Sequence, residues 1–307
     1  MNKLYLIPDR KDMERICALA AVYGCAFEYN DFFPPKVMDD PERQGKIIDD
    51  YKACADKRFG GNSSEKDMSG ECAFSDIFSR DTMHGAFLDV TIHSDDPMIE
   101  HVSKQRVRQS METAKNMGLK GVVFHTGRLG GFRAAEYLRN WRDRNEAFFT
   151  EIALQYPAQQ IYMENMFDEA PDVLAGLAEK MQGVKNFGVC LDYAHAMLSK
   201  CPGREWVETL APYIRHIHIN DNDMKNDLHL AVGAGKLDWQ EFDGLIRQCR
   251  IEAPALVEVN GYEAQRESLQ YMKSHGIYPM EREKEVRVPK HGTLRNGGKN
   301  ASAIRRF

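Results

Sequence analysis

The stretch PMIEHVSKQRVRQSMETAKNMGLKGVVFHTG, residues 97–127, decides the fold class of this chain. Residues 97–117 carry apolar side chains with the 3.6-residue period of an amphipathic helix. These apolar side chains are Ile99, Val107, Met111, Ala114 and Met117. Gly118 stands where a glycine commonly ends a helix, and the short apolar strand that follows, residues 121–125, ends in His125. A helix followed directly by an apolar strand is typical of parallel α/β proteins.

The same alternation of helical stretches and short apolar strands continues along most of the chain. Eight strands are predicted, at residues 4–7, 26–29, the segment that ends at His84, 121–125, 159–164, 187–192, 214–219 and 255–259. Eight such units predict one closed (β/α)8 TIM barrel over residues 1–285. Within it, residues 56–79 are rich in Gly and Ser and are predicted to form a loop. Residues 286–307 are basic and poor in apolar side chains, which predicts a flexible C-terminal tail.

Composition excludes several classes of protein. A content of 43% hydrophobic and 28% charged residues is close to the globular average and excludes a disordered or collagen-like chain. No apolar run approaches the roughly 20 residues that span a bilayer, and residues 1–10 lack a signal-peptide pattern, so we expect a cytoplasmic protein without membrane contact. Seven cysteines without a C-x-x-C pair predict reduced thiols. The net charge is −5 despite the basic tail, so the body shows no footprint for duplex DNA.

Most predicted strands end in, or close to, an acidic or imidazole side chain. These residues are His84, His125, Glu164, Asp192, His218 and Glu258. In a closed parallel barrel the carboxyl ends of all strands converge on one rim. Any one of these residues alone is more often structural, but six at strand ends would bury uncompensated charge if nothing bound them. Carboxylates and imidazoles suit zinc, manganese, cobalt or magnesium, so the pattern predicts a divalent metal site at this rim.

Seven sequence blocks resemble the xylose isomerase-like TIM-barrel superfamily. They are HGAFLD (84–89), VVFHTG (122–127), YMEN (162–165), GVCLDYAH (188–195), HIHINDND (216–223), DLHLAVGAGKLDW (227–239) and LVEVN (256–260). The superfamily joins sugar-phosphate isomerases and epimerases to nucleases of the endonuclease IV type, the AP endonuclease family 2. The order and spacing of the blocks carry the resemblance, which covers residues 84–260.

The resemblance implies a metal site and its ligands. It places the ligands shared by the superfamily at Glu164, Asp192, His218 and Glu258, around one ion, with zinc or manganese expected. The nuclease branch has further ligands for a cluster of up to three zinc ions. The matching residues here are His84, His125, His195, Asp227 and His229. The pair Gly233-x-Gly235 is expected to supply a tight turn beside them.

The favoured interpretation is a sugar or sugar-phosphate isomerase or epimerase. The resemblance implies that Glu164 and Glu258 would move a proton while the metal polarises the substrate carbonyl. Arg128 and His216 are candidate substrate contacts. The alternatives are that Arg128 is a solvated loop residue and that His216 fills the barrel. The segment GKLDW, residues 235–239, is closer to sugar isomerase-like members than to the nuclease.

The alternative interpretation is an endonuclease IV-like phosphodiesterase with a multinuclear zinc site, and only this one would make nucleic acid a partner. The complete set of nine potential ligands favours it. The continuation of the Glu164 block as Asn-Met-Phe-Asp, residues 165–168, departs from the Gly-rich continuation of the nuclease branch. A non-catalytic barrel is disfavoured because no ligand is missing. Whether the chain forms a homo-oligomer is left open.

Overall fold

The computed structural model describes residues 3–58 and 78–281, and for residues 54–58 it describes the backbone alone. Most of the predicted loop at residues 56–79 lies outside the described residues, and residues 56–58 form the end of a helix instead. The predicted tail, residues 286–307, lies wholly outside them.

Eight parallel strands form a closed barrel in which each strand pairs with its neighbours in chain order and the last strand pairs with the first. They are β1 (Leu4–Leu6), β2 (Ala26–Tyr29), β3 (Thr82–His84), β4 (Gly121–His125), β5 (Gln160–Glu164), β6 (Phe187–Asp192), β7 (Ile214–Ile219) and β8 (Ala255–Val257). The predicted single TIM barrel is confirmed, and the boundaries of the predicted strands differ from the observed ones by at most two residues wherever both ends were predicted.

Helices connect the strands over the described residues. They are α1 (Met13–Tyr23), α2 (Pro35–Met38), α3 (Pro41–Arg58), α4 (Pro97–Met117), α5 (Ala135–Gln155), α6 (Asp172–Lys180), α7 (Tyr193–Leu198), α8 (Gly203–Leu210), α9 (Trp239–Gln248) and α10 (Tyr262–His275). No helix in this part of the chain is long and apolar enough to cross a membrane.

Helix α4 shows how local sequence sets the helix boundaries. The Asp96 side chain accepts a hydrogen bond of 2.8 Å from the backbone N–H of Met98, which satisfies a free donor of the first turn. Gly118 ends the helix in the left-handed conformation, with φ of +72°. The helix prediction is therefore confirmed at both ends. Ile99 was predicted on the buried stripe but is exposed, because it lies in the first turn, where the helix begins at the rim.

The core lies inside the barrel and between the strands and the helices. The largest side chains, Trp141, Trp206 and Trp239, are fully buried there. Phe242, in helix α9 with Trp239, is buried there as well. Five cysteines have described side chains, and these are free thiols: Cys17, Cys25, Cys190, Cys201 and Cys249. Because every strand runs in the same direction, the carboxyl ends of β1 to β8 face one rim, and this rim carries the residues considered next.

Candidate metal centre

Four residues form the centre of the rim. Glu164 ends β5, Asp192 ends β6, His218 lies in β7, and Glu258 follows β8 by one residue. One potential ligand atom from each lies within 4.8 Å of the others, and all four side chains are buried. His218 Nδ1 lies 3.3 Å from Glu164 Oε1 and 3.4 Å from Glu258 Oε2. The structure thus brings together all four residues that the family resemblance implied as central ligands.

This central group lacks the hydrogen bonds that buried polar atoms normally have. Both carboxylate oxygens of Glu164, Oε2 of Glu258 and Nδ1 of His218 are buried without a hydrogen-bond partner among the described residues. Buried carboxylates in this condition are costly unless a cation or donor compensates them. Three carboxylates and one imidazole are a ligand set that suits a divalent cation such as zinc or manganese. The residues present therefore fit a metal ion.

The protonation of the group reflects its burial and the charges of the neighbouring side chains. Burial alone would raise the pKa of Glu164, but the neighbouring rings of His218 and His125 outweigh it and hold the pKa well below its ordinary value. Burial raises the pKa of Asp192 to about 7, with the charges of Glu258 and Glu164 adding to the effect and the His195 ring opposing it. Without a metal, the four residues share protons that a bound cation would displace.

A second group lies beside Glu164. His84, at the end of β3, and His125, at the end of β4, approach each other with 3.1 Å between their Nε2 atoms. The same atoms lie 3.5 and 3.3 Å from Glu164 Oε2. His84 donates its Nδ1–H to the carbonyl oxygen of Gly85 at 3.0 Å, so its Nε2 lone pair faces the group. These three residues also form a set that could hold a metal ion.

A third group lies on the other side, around Asp227. The Nε2 atoms of His195 and His229 both lie 3.3 Å from Asp227 Oδ2. Each ring is anchored through its other nitrogen, which donates to a backbone carbonyl oxygen: Asn165 for His195, at 3.0 Å, and Glu258 for His229, at 2.9 Å. Both Nε2 atoms therefore face Asp227, the orientation in which histidines that are anchored through the other nitrogen bind a metal ion. All nine predicted ligand residues now belong to three adjacent groups.

Asn165 joins the ends of β5 and β6, a role that the sequence pattern did not predict. Its side chain accepts from the backbone N–H of Asp192 and donates to the carbonyl oxygen of the same residue, both at 2.9 Å. The Asp192 carboxylate in turn accepts from the backbone N–H of His195 at 2.7 Å. The side chain of Asn165 thus fixes the backbone of one ligand, and its carbonyl oxygen fixes the ring of another. Its position next to Glu164 in the YMEN block was the available signal.

The loop that carries Asp227 and His229 is held by Asp221. This buried carboxylate accepts from the backbone N–H groups of Gly233 and Leu237, at 3.0 and 3.1 Å, and from the Trp239 indole at 2.8 Å. A Cβ on Gly235 would lie 2.2 Å from Asp221 Oδ1, and Gly233 has φ of +87°, so both positions require glycine. The two glycines therefore allow the loop to close around Asp221.

The two predicted substrate contacts are both buried. The Arg128 side chain is 1% exposed and donates from Nε to Asp168 Oδ1 at 2.7 Å. His216 is fully buried inside the barrel, and its Nε2 lies 2.9 Å from Glu28 Oε2. Substrate contact by Arg128 and His216 remains a prediction, and the burial of both side chains weighs against it. Glu28, an acid in the apolar strand β2, was missed although its charge in that strand was a visible signal.

Comparisons with known proteins agree with this architecture. The sequence model of the xylose isomerase-like TIM-barrel family matches residues 78–275. An uncharacterized protein of Methanocaldococcus jannaschii is 27% identical over 187 residues, which cover 58% of this chain and 69% of the relative.

Solved structures share the fold at low sequence identity. A Thermus thermophilus protein, whose crystal was soaked with zinc chloride, has a TM-score of 0.64 at 19% identity and covers 88% of this chain and 96% of its own. A D-tagatose 3-epimerase-like protein has a TM-score of 0.63 at 20% identity, with 88% and 95% covered. A D-psicose 3-epimerase solved in the presence of D-fructose has a TM-score of 0.61 at 11% identity, with 88% and 98% covered.

Proposed function

The chain belongs to the xylose isomerase-like TIM-barrel family, and on that premise we propose that it is a divalent-metal-dependent isomerase or epimerase of a sugar or sugar phosphate. The observation that carries this proposal is the placement of Glu164 and Glu258 in one buried group with His218 and Asp192. Both carboxylates have oxygens without a hydrogen-bond partner in the part of the chain that the structure describes, so each can exchange a proton with a bound substrate. Two proteins of similar structure, a D-tagatose 3-epimerase-like protein and a D-psicose 3-epimerase, agree with this chemistry.

Glu164, Asp192, His218 and Glu258 are the residues that would hold the metal ion. When bound there, a divalent cation supplies Lewis acidity, which polarises a substrate carbonyl and acidifies the adjacent C–H. Zinc and manganese both fit a set of oxygen and nitrogen ligands.

Glu164 and Glu258 would act as the proton carriers. One carboxylate takes the proton from the carbon next to the carbonyl, and the other returns a proton to the intermediate, on the same or the opposite face. Delivery to the opposite face of the same carbon gives an epimer, whereas delivery to the neighbouring carbon with a hydroxyl proton shift gives an isomer. The net reaction gains and loses no atoms, so no further reactant is needed.

Aromatic side chains form a wall beside the centre. The ring centroid of Phe87 lies 4.5 Å from that of Phe33 and 5.1 Å from those of His84 and His125. On the other side, the centroid of Phe167 lies 5.7 Å from that of His195. Such rings pack against the C–H faces of a sugar and limit the access of water to the reacting carbon.

Proton exchange in deuterated water tests the proposal. The protein is loaded with zinc or manganese, the metal per chain is measured by elemental analysis, and a panel of ketoses, aldoses and their phosphates is followed by proton NMR. We expect one metal per chain and metal-dependent loss of one substrate C–H signal. Absence of exchange across the whole panel would contradict the proposal.

A pair of variants assigns the exchange to the site. Glu258→Gln should abolish it while the fold is retained. The matched control is Glu252→Gln, because Glu252 is an exposed glutamate that precedes β8 and lies at the opposite end of the barrel. The control should exchange the substrate proton as the unmodified protein does.

A second candidate function is a multinuclear zinc phosphodiesterase. One observation favours it: the groups around His84 and Asp227 flank the central one, and three of their four histidines are anchored as metal ligands usually are. Two or three zinc ions per chain, together with cleavage of phosphodiesters or abasic DNA, would favour this function. His229→Ala separates the two candidates, because it should lower the metal count of a multinuclear site and leave a count of one unchanged.

A further inference from the structure

Glu28 contacts the proposed ligand His218 from inside the barrel. It lies in β2 and is fully buried. Its Oε2 accepts from the Thr82 hydroxyl at 2.7 Å and lies 2.9 Å from His216 Nε2. Its Oε1 lies 3.0 Å from His218 Nε2. The angle of this contact departs from that of an ideal hydrogen bond. Neither Glu28 Oε1 nor His218 Nε2 has another hydrogen-bond partner among the described residues.

The His218 ring therefore lies between the Glu28 carboxylate on one side and two carboxylates, Glu164 and Glu258, on the other. Its Nε2 faces Glu28, and its Nδ1 faces Glu164 and Glu258 at 3.3 and 3.4 Å. A neutral imidazole has one N–H and one lone pair, and a carboxylate at Nε2 favours the proton there. The lone pair is then on Nδ1, where a metal ligand needs it.

His218 differs in this respect from three of the flanking histidines. His84, His195 and His229 each donate Nδ1–H to a backbone carbonyl oxygen and present Nε2 to the neighbouring groups. His218 presents the opposite nitrogen, and its other nitrogen faces a charged side chain. The residue that this nitrogen faces, Glu28, is 190 positions away in the sequence.

We propose that Glu28 is a positioning residue that holds the proton of His218 on Nε2 and directs Nδ1 to the metal ion. The inference rests on the proposed function because it requires a metal ion at the central group. It adds Glu28 to the residues on which metal affinity depends. Carboxylates that hold a ligand histidine in this way typically change metal affinity by about 10- to 100-fold when they are replaced.

The surroundings of Glu28 suit such a role because they are rigid. The His216 ring that shares its Oε2 is stacked on Tyr162, with 5.1 Å between centroids and an angle of 23° between the planes. The Tyr5 ring meets the edge of His216 at 5.2 Å. Together with the Thr82 hydroxyl, these contacts leave the carboxylate few other positions. A fixed carboxylate keeps the neighbouring ring in one orientation.

Glu28→Gln tests the inference, with Asp81→Asn as the matched control. Asp81 is an equally buried carboxylate that precedes β3, and it accepts from the Phe27 N–H and the Tyr29 hydroxyl. It belongs to none of the groups of described residues that could hold a metal ion. Zinc affinity is measured by competition with a chelator, the visible spectrum is recorded with cobalt in place of zinc, and unfolding of the metal-free proteins is followed by heating.

Glu28→Gln should weaken zinc binding by about 10- to 100-fold and shift the cobalt bands, and Glu28→Asp should restore part of the affinity. Asp81→Asn should bind zinc as the unmodified protein does, even where its unfolding temperature falls. Unchanged zinc affinity and cobalt spectrum in Glu28→Gln would overturn the positioning role alone. Failure of the unmodified protein to bind zinc would overturn the proposed function and this inference together.

A measurement on the unmodified protein decides the question even where Glu28→Gln fails to fold. Nitrogen NMR of isotope-labelled histidine rings in the zinc-loaded protein reports which ring nitrogen carries the proton, and loss of a signal in His218→Asn assigns it. A proton on Nε2 and zinc on Nδ1 of His218 would support the proposal. The reverse arrangement would overturn it.

Discussion

Asp221 and Glu164 are both fully buried carboxylates at the same rim, but their surroundings are opposite. The oxygens of Asp221 accept hydrogen bonds from the backbone N–H groups of Asn222, Gly233 and Leu237 and from the Trp239 indole. Neither oxygen of Glu164 has a hydrogen-bond partner among the described residues. Asp221 and Glu164 are equally buried, but only Asp221 is compensated by donors of the protein. Asp221 therefore holds a loop in place, whereas Glu164 is a carboxylate that a bound cation would compensate.

The largest effect is expected from Glu164→Gln. Loss of this carboxylate removes a ligand from the central group and one of the two proton carriers, so turnover should fall on the order of 10²- to 10⁴-fold. The fold should be retained, because no described hydrogen bond depends on the Glu164 side chain. Metal analysis, activity and circular dichroism check this. If the variant binds zinc as tightly as the unmodified protein, Glu164 is not a metal ligand.

Asp221→Ala should have the opposite profile. Four donors lose their buried acceptor, which should lower the free energy of unfolding by about 3 kcal/mol or more. Urea unfolding of the metal-free variant measures this loss. Zinc binding by the central group should persist while the protein is folded. A variant as stable as the unmodified protein would show that water replaces the carboxylate.

Gly235→Ala tests the same loop and should destabilise the protein less than Asp221→Ala does. The added Cβ would lie 2.2 Å from Asp221 Oδ1 and 2.4 Å from the Asn222 carbonyl oxygen, so the loop must move, at a cost of about 2 kcal/mol. The control is Gly244→Ala in α9, where a Cβ meets nothing within 4 Å and alanine should stabilise the helix by up to about 1 kcal/mol. Thermal unfolding of the two variants should shift in opposite directions.

The smallest predicted effect concerns pH. The pKa of Asp192 is raised to about 7 without metal, so its proton must leave before zinc binds. Zinc affinity should therefore weaken by up to about tenfold per pH unit below 7 on account of this group. The stability of the metal-free protein should depend on pH in the opposite direction to zinc affinity. Because the pKa of Asp192 is raised in the folded state, its contribution to the free energy of unfolding is present at low pH and is lost as the pH rises towards 7.

Zinc titrations and thermal unfolding between about pH 5 and 8 check both directions. Asp192→Asn removes the titrating group, and it should bind zinc more weakly but with a shallower dependence on pH. An equally steep dependence in this variant would assign the proton to another residue of the site.

The sequence predicted much of this site because parallel barrels impose a rule on position. Residues at strand ends must meet at one rim, so the pattern of His125, Glu164 and Asp192 was sufficient to place them together. Asn165 and Glu28 were missed for a physical reason. Their importance depends on which atoms they contact, and those atoms belong to strands whose proximity no local pattern shows. Arg128 illustrates the same limit, because its partner Asp168 lies 40 residues away.

The sequence by itself determined the alternation of strands and helices, the boundaries of α4 and the presence of ligand-type side chains at the strand ends. These features depend on local periodicity and on residue type, which are written in short stretches of chain. Only the tertiary structure decided which buried charges are compensated. Closure of the barrel places β2 and β7 across the interior from each other, so that Glu28 meets His218. At the rim, Asp221 accepts from several donors, whereas Glu164 has none among the residues that the structure describes.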